Sequence, residues 1–198
     1  MRFDELELED SLLQGLDAMN FQETTPIQEL TIPVILEGKD LIACAQTGTG
    51  KTAAYTLPIL NRLIKEENRS DTVKAVIMAP TRELAQQIAE ELTQLTYFMP
   101  EVQVACVYGG ANMEKQAKRL AEGCQIVVAT PGRLMDHYKH HTIDISHVTQ
   151  IVLDEADEML NMGFYKDVRH IIEMMKARKA LSMFSATISR EVMDIGWL

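Results

Sequence analysis

The chain has 198 residues, a length that suits one domain of ordinary size rather than two. Its composition, 46% hydrophobic and 24% charged with 10 glycines and 6 prolines, excludes disordered, collagen-like and linker sequences. Nineteen basic against 29 acidic residues leave a net charge of -10, so bulk attraction cannot hold a nucleic acid and any such contact must be local. Much of the excess falls in residues 1–39, where nine acids face only Arg2 and Lys39. Cys44, Cys106 and Cys124 lie within or beside apolar runs and read as reduced core residues of a cytosolic protein. No apolar stretch approaches the ~18 residues of a membrane-spanning helix, and the start MRFDELELED lacks the apolar run of a signal peptide. The expectation is a soluble cytoplasmic protein that does not engage membranes.

In chain order, residues 1–39 read as a helical segment. Thr25-Pro26-Ile27-Gln28 offers a capping Thr, a Pro at the first helical position and a Gln three residues after the cap, ahead of an apolar-periodic stretch to Leu36 that stops at Gly38. From residue 40, short apolar runs recur at 40–44 (DLIAC), 73–79, 102–108, 125–129, 150–153 and 180–184. They are hydrophobic nearly throughout rather than alternating, which is the pattern of parallel strands covered by helices on both faces. Helices are predicted between them at 52–65, 82–96, 113–122, 133–140, 155–160 and 167–176, with a polar loop at 66–72. Right-handed crossovers between parallel strands then give an α/β fold, an open doubly wound, mostly parallel sheet.

Two local patterns carry chemistry. Ala45-Gln46-Thr47-Gly48-Thr49-Gly50-Lys51-Thr52 directly follows the strand DLIAC and directly precedes a helix. Small residues there let backbone N–H groups wrap phosphates, and the helix N-terminus adds its positive dipole end. Lys51 would reach the β- and γ-phosphates and Thr52 would offer a hydroxyl to Mg²⁺, although Ala45 stands where the usual template has its first glycine. Asp154-Glu155-Ala156-Asp157 closes the strand QIVL. An acid at the carboxyl end of a parallel strand faces the ligand crevice, which suits Asp154 as a Mg²⁺ ligand and Glu155 as the group that orients or deprotonates an attacking water. Each pattern has a plain rival: a chance GKT in a turn, and a solvated acidic helix start. His137, His140 and His141 share a helix face but lack a metal signature and read as a solvated helix end. The 12 methionines read as core filler, and Trp197 as packing on the last helix.

Taken together, these motifs resemble the first RecA-like domain of DEAD-box ATP-dependent RNA helicases, over nearly the whole chain. DEAD itself stands at 154–157, AQTGTGKT matches the family's phosphate loop including its Ala45, and further family motifs follow in order: Pro80-Thr81-Arg82-Glu83-Leu84-Ala85, Gly109-Gly110, Thr130-Pro131-Gly132-Arg133 and Ser185-Ala186-Thr187. The adenine-reading element is also matched, with Phe21 resembling the aromatic that packs near the base, Gln28 the amide that bonds the adenine edge and Phe3 the isolated upstream aromatic. Asn20 and Thr24 replace a usual Gly and Pro, while Pro26 is kept.

The resemblance implies ATP and Mg²⁺ as cofactors and residues 40–198 as the ATP-binding domain, with residues 1–39 bearing the adenine element. It implies catalytic roles for Lys51, Asp154, Glu155, Asp157, Ser185 and Thr187, the last two hydroxyls bonding Asp157 and linking the nucleotide to RNA. Pro80, Thr81, Arg82, Gly109, Gly110, Thr130, Pro131, Gly132 and Arg133 would grip one RNA strand through phosphates and 2′-hydroxyls without reading bases. The expected activity is RNA-dependent ATP hydrolysis that opens short duplexes or remodels RNA–protein complexes. An ATP-gated RNA clamp with little turnover uses the same residues and stays open as an alternative. A phosphate-loop enzyme acting on DNA or a small molecule fits the TPGR and PTRELA loops and Gln28 less well. The family pairs this domain with a second RecA-like domain that brings arginines to the γ-phosphate, so the chain is expected to be a monomeric part of a longer protein. The wording VLDEADEMLNMGF resembles bacterial members.

Overall fold

The computed structural model describes residues 1–46, 50–66 and 71–198. Thr47, Gly48 and Thr49 of the phosphate loop, and most of the polar loop expected at 66–72, lie outside the described residues.

A 3₁₀ turn at Phe3–Leu6 leads into α1 (Asp10–Ala18) and α2 (Pro26–Leu36). Then β1 (Leu41–Cys44), α3 (Lys51–Lys65), β2 (Ala75–Met78), α4 (Arg82–Leu95), β3 (Val104–Val107), α5 (Met113–Ala121), β4 (Ile126–Ala129) and α6 (Pro131–Lys139) alternate. The chain continues through β5 (Gln150–Asp154), α7 (Ala156–Asn161), α8 (Tyr165–Met174), β6 (Ala180–Ser185) and α9 (Arg190–Gly196). The strands form one six-stranded sheet in the order β1-β6-β5-β2-β4-β3, and every neighbouring pair is parallel.

The strands are hydrophobic nearly throughout because each supplies two cores. Ala75 and Ile77 of β2 and Ile126 and Val128 of β4 enter a core with the 3₁₀ turn and α1 to α4. Val76, Met78, Val127 and Ala129 point the other way, against α5 to α9. Successive strand side chains alternate faces, so a sheet covered on both sides needs apolar residues at every position. Phe3, Leu6, Leu8, Leu12 and Leu16 belong to the first core, so residues 1–39 share the interior of the sheet domain.

All six predicted strands are present; β1 to β4 are shorter than their apolar runs, while β5 and β6 each extend one residue further, to Asp154 and Ser185. The 3₁₀ turn and α9 were not expected from the sequence, and α1 lies in the stretch 1–39 read as helical without bounds of its own. α1 is nine residues long and contains Gly15, whose missing side chain lets α1 lie against α4, since a Cβ there would sit 2.7 Å from the Leu95 carbonyl oxygen. Ser189 accepts a hydrogen bond from the Val192 amide and caps α9, and Gly196 seats that helix on Ile42. Three single-residue expectations are corrected. Cys44 is exposed rather than in the core, while Cys124 is buried and Cys106 half-buried, and burial pushes both of those thiols up to about 11. Trp197 is 82% exposed, because α9 ends before the indole can fold back on it. His137 is fully buried, unlike His140 and His141. Among the described residues no helix is long and apolar enough to cross a membrane.

Candidate active site

Sheet order decides which loops meet. β6 lies between β1 and β5, so the end of the first strand, the acidic strand end and the Ser185 hydroxyl converge on one stretch of sheet edge. Lys51 opens α3, and its Nζ stands 2.7 Å from Asp154 Oδ1 and 3.8 Å from Glu155 Oε1. Lys51 is 5% exposed and Asp154 fully buried, so the pair is shielded from solvent. Asp154 Oδ2 accepts a 2.6 Å hydrogen bond from the Tyr55 hydroxyl. Burial first, and then the adjacent Asp154 charge, raises the Tyr55 phenol well above its ordinary value, so it remains a donor. Tyr55 was not singled out in the sequence; its signal is the i, i+4 spacing from Lys51, which puts both side chains on one face of α3.

Gly50 precedes α3 in the left-handed region at φ +77°, and a Cβ there would meet Gln28 Nε2 at 2.8 Å and Thr25 Oγ1 at 2.9 Å. Both the dihedral and the space therefore call for glycine. The buried Gln28 accepts a hydrogen bond from the Thr25 amide through Oε1 (2.8 Å) and donates one from Nε2 to the Gly50 carbonyl (2.9 Å). The amide named for adenine thus ties the start of α2 to the phosphate loop. A side-chain amide has two donor hydrogens and two acceptor lone pairs, so one of each is left for a base edge. Phe21 is 37% exposed and stacks on the buried Phe3, with ring centroids 6.4 Å apart. The Ala45 amide donates to the Ser185 carbonyl, and Gln46 is exposed beside it; Thr52 is half-buried in the first turn of α3.

Glu155 holds the left-handed conformation at φ +50°, a strained geometry for a side chain that turns the backbone sharply out of β5 into α7. Asp157 Oδ2 accepts hydrogen bonds from the Thr187 hydroxyl (2.9 Å) and amide (3.1 Å). Ser185 Oγ accepts from the Asp157 amide and donates to the Thr187 carbonyl. Of the two hydroxyls expected on the Asp157 carboxylate, Thr187 reaches it, and Ser185 holds the backbone on either side. Burial works to raise the Asp157 carboxyl, but the hydrogen bonds from Thr187, Ser185 and the Glu158 amide outweigh it and hold the group below its ordinary value. The carboxylate is therefore ionised at neutral pH, and its contribution to stability is lost only as the pH falls through that lowered value.

β2, β4 and β3 form the other half of the sheet and carry the remaining loops. Pro80 is buried, Thr81 Oγ1 caps α4 by accepting from the Leu84 amide, and Arg82 is exposed with its guanidinium 5.8 Å from the Tyr108 ring centre. Gly109 and Gly110 are exposed, and the Gly109 amide reaches Thr130 Oγ1 at 3.4 Å. Pro131 and Gly132 begin α6, which starts two residues earlier than predicted. Arg133 turns inward: its side chain is 13% exposed and donates to the Ala111 carbonyl (3.0 Å) and to Gln116 Oε1 (3.1 Å). Gln116 in turn donates to the Tyr108 carbonyl and meets His137 Nε2 at 3.0 Å, while His137 Nδ1 meets Thr142 Oγ1 at 2.7 Å. Burial, followed by the Arg133 charge, lowers the His137 pKa, so it is neutral at physiological pH. Gln116 and His137 were missed as site residues, although His137 sits one turn beyond Arg133 on α6.

A profile described as DEAD/DEAH box helicase matches residues 25–195. The chain is 48% identical over 195 residues to the ATP-dependent RNA helicase CshA of Listeria monocytogenes, covering 98% of this chain and 37% of that protein. It is 49% identical over 196 residues to CshA of Limosilactobacillus reuteri, covering 99% and 39% respectively. The chain thus spans under two fifths of the length of the curated relatives it matches. Among solved structures it resembles the yeast DEAD-box splicing factor Prp28, with TM-score 0.92, 34% identity, and coverage of 99% of this chain and 49% of that one. It also resembles a DEAD box protein from Methanococcus jannaschii, with TM-score 0.91, 40% identity and coverage of 100% and 53%. The matched span runs from the cap of α2 into the last turn of α9 and takes in all the strand-end loops just described, and on that ground the chain belongs to the DEAD/DEAH box helicase family.

Proposed function

We propose that this chain is the ATP-binding part of an RNA-dependent ATPase that opens short duplexes or remodels RNA–protein complexes. The observation that carries the reading is the buried contact between Lys51 of the α3 N-terminus and Asp154 of the β5 end, with Asp157 bonded to Thr187 beside it. Such a pair is costly to bury without a ligand to serve. Lys51 would exchange Asp154 for the β- and γ-phosphates of ATP, and the Gln28 amide would meet the adenine edge. Asp154 and Thr52 offer only oxygen donors, which suits Mg²⁺; when bound, the ion neutralises charge on the β- and γ-phosphates. Glu155 would orient or deprotonate the attacking water. The Asp157–Thr187 link would pass the nucleotide state toward the loops of β2, β4 and β3, which would hold one RNA strand. A second RecA-like domain would complete the site with arginines, a type of contact worth roughly 10³–10⁵ in rate. The decisive experiment is ATP hydrolysis by the full-length protein with and without RNA; turnover unaffected by RNA of any sequence would remove the reading.

Base choice should rest on Gln28. The chain is expected to bind adenine over guanine nucleotides, and Gln28→Ala to narrow the gap, since one hydrogen-bonded base contact is worth roughly 1–3 kcal/mol of discrimination. Calorimetric titration checks this, and equal affinities of the unsubstituted chain for ADP and GDP would refute it.

The two loop arginines should differ. Arg82, exposed, is free to meet phosphate, so Arg82→Ala should weaken RNA binding equally for all sequences and lower its salt dependence. Arg133→Ala leaves Ala111 and Gln116 without their donor, and a lost hydrogen bond to a charged group costs about 1.5–3 kcal/mol. It should therefore lower the denaturation midpoint, which Arg82→Ala should not; both are read from RNA titrations beside urea unfolding.

A further inference from the structure

Asp154 is held from two sides by groups of one helix. Its Oδ1 faces the Lys51 ammonium at 2.7 Å and, among the described residues, has no other hydrogen-bonding partner. Its Oδ2 takes the Tyr55 hydroxyl at 2.6 Å, a short bond of the strong, charge-assisted kind. The Tyr55 ring is fully buried and lies on Phe184, centroids 5.3 Å apart. Phe184 is the β6 residue in register with Asp154 on β5. The phenol is thus braced against the strand beside the carboxylate it holds.

We infer that Tyr55 is a positioning residue for the metal-nucleotide complex: its hydroxyl fixes Asp154 through Oδ2, keeping Asp154 Oδ1 aimed into the site after Lys51 has moved to the phosphates. The inference rests on the nucleotide reading above and adds to it the residue that sets the carboxylate's orientation. A phenylalanine at position 55 would fill the same volume and pack on Phe184 while leaving Asp154 free to rotate once Lys51 departs. Partners that orient a metal ligand through a hydrogen bond commonly contribute 10–100-fold to metal affinity.

The test is Tyr55→Phe, titrated with a non-hydrolysable ATP analogue at a series of Mg²⁺ concentrations and again in EDTA, with thermal unfolding of the ligand-free proteins alongside. The expected result is a half-saturating Mg²⁺ concentration raised about tenfold or more, with unchanged affinity for the analogue in EDTA. Equal Mg²⁺ dependence in the two proteins would overturn the assignment. So would equal weakening with and without Mg²⁺, which would make the phenol a packing residue only; Tyr55→Leu, which removes the ring as well, should weaken both conditions and calibrates that outcome. Failure of the unsubstituted chain to bind the analogue under either condition would overturn the nucleotide reading itself, a result separate from the other two.

Discussion

Lys51→Ala is expected to abolish detectable nucleotide binding and also to destabilise the ligand-free protein. The first effect follows from deleting the charge that offsets the phosphates at the start of α3. The second follows from geometry: Lys51 and Asp154 are 5% and 0% exposed and 2.7 Å apart, so alanine leaves a carboxylate in the interior with Tyr55 as its remaining close partner. Removing one member of a buried ion pair costs about 3–5 kcal/mol, and the surviving Tyr55 hydrogen bond puts the expected loss near the lower end. Urea unfolding of the ligand-free chain reads the second effect, and calorimetry with ADP the first. Asp154→Asn added to Lys51→Ala should recover part of the stability and none of the binding, because it removes the orphaned charge without restoring the lysine. A variant with unchanged stability would show that the contact at 2.7 Å contributes nothing to the empty fold.

Glu155→Gln is expected to keep nucleotide binding and to lose hydrolysis. Glu155 is 27% exposed in the crevice, with Lys51 at 3.8 Å, and its proposed work is on the attacking water rather than on the ground-state nucleotide. General-base contributions run to roughly 10²–10⁴ in rate, and a loss of that order is expected in the full-length protein with RNA present. Glutamine has the same shape and is no more strained than glutamate at φ +50°, so the turn from β5 into α7 should persist and the unfolding midpoint should stay within experimental error. Single-turnover hydrolysis set beside equilibrium binding separates the two quantities. If Glu155→Gln lost nucleotide as completely as Lys51→Ala, the two residues would share one role and the assignment would fail.

Much of this molecule is written locally. Six apolar runs with helical punctuation between them specify a parallel sheet, because strands covered on both faces must be apolar at every position, and the cap Thr25-Pro26-Ile27-Gln28 marks α2 to its first residue. The acidic strand end and the Ser185-Ala186-Thr187 turn are equally legible, each being a short run fixed to a strand's carboxyl end. Helix α9 and the bounds of α1 were hidden because the stability of these helices comes from contact rather than propensity: Gly15 and Gly196 weaken them as isolated helices, yet let them close on Leu95 and Ile42. The inward turn of Arg133 and the burial of His137 were out of view for the same reason. Nothing in their local pattern shows that Gln116, on another helix, turns both inward.

Strand order is the larger matter that only the tertiary structure decides. The last strand in the chain, β6, inserts between the first and the fifth, so Asp40 bonds the Leu181 amide across 141 positions of sequence and Lys51 meets Asp154 across more than a hundred. That insertion divides the sheet edge into a half bearing β1, β6 and β5 and a half bearing β2, β4 and β3. Local periodicity is blind to it, because any order of six apolar strands satisfies the same pattern. The order is selected by which helices can cover which faces once right-handed crossovers are made, and that is a property of the packed whole.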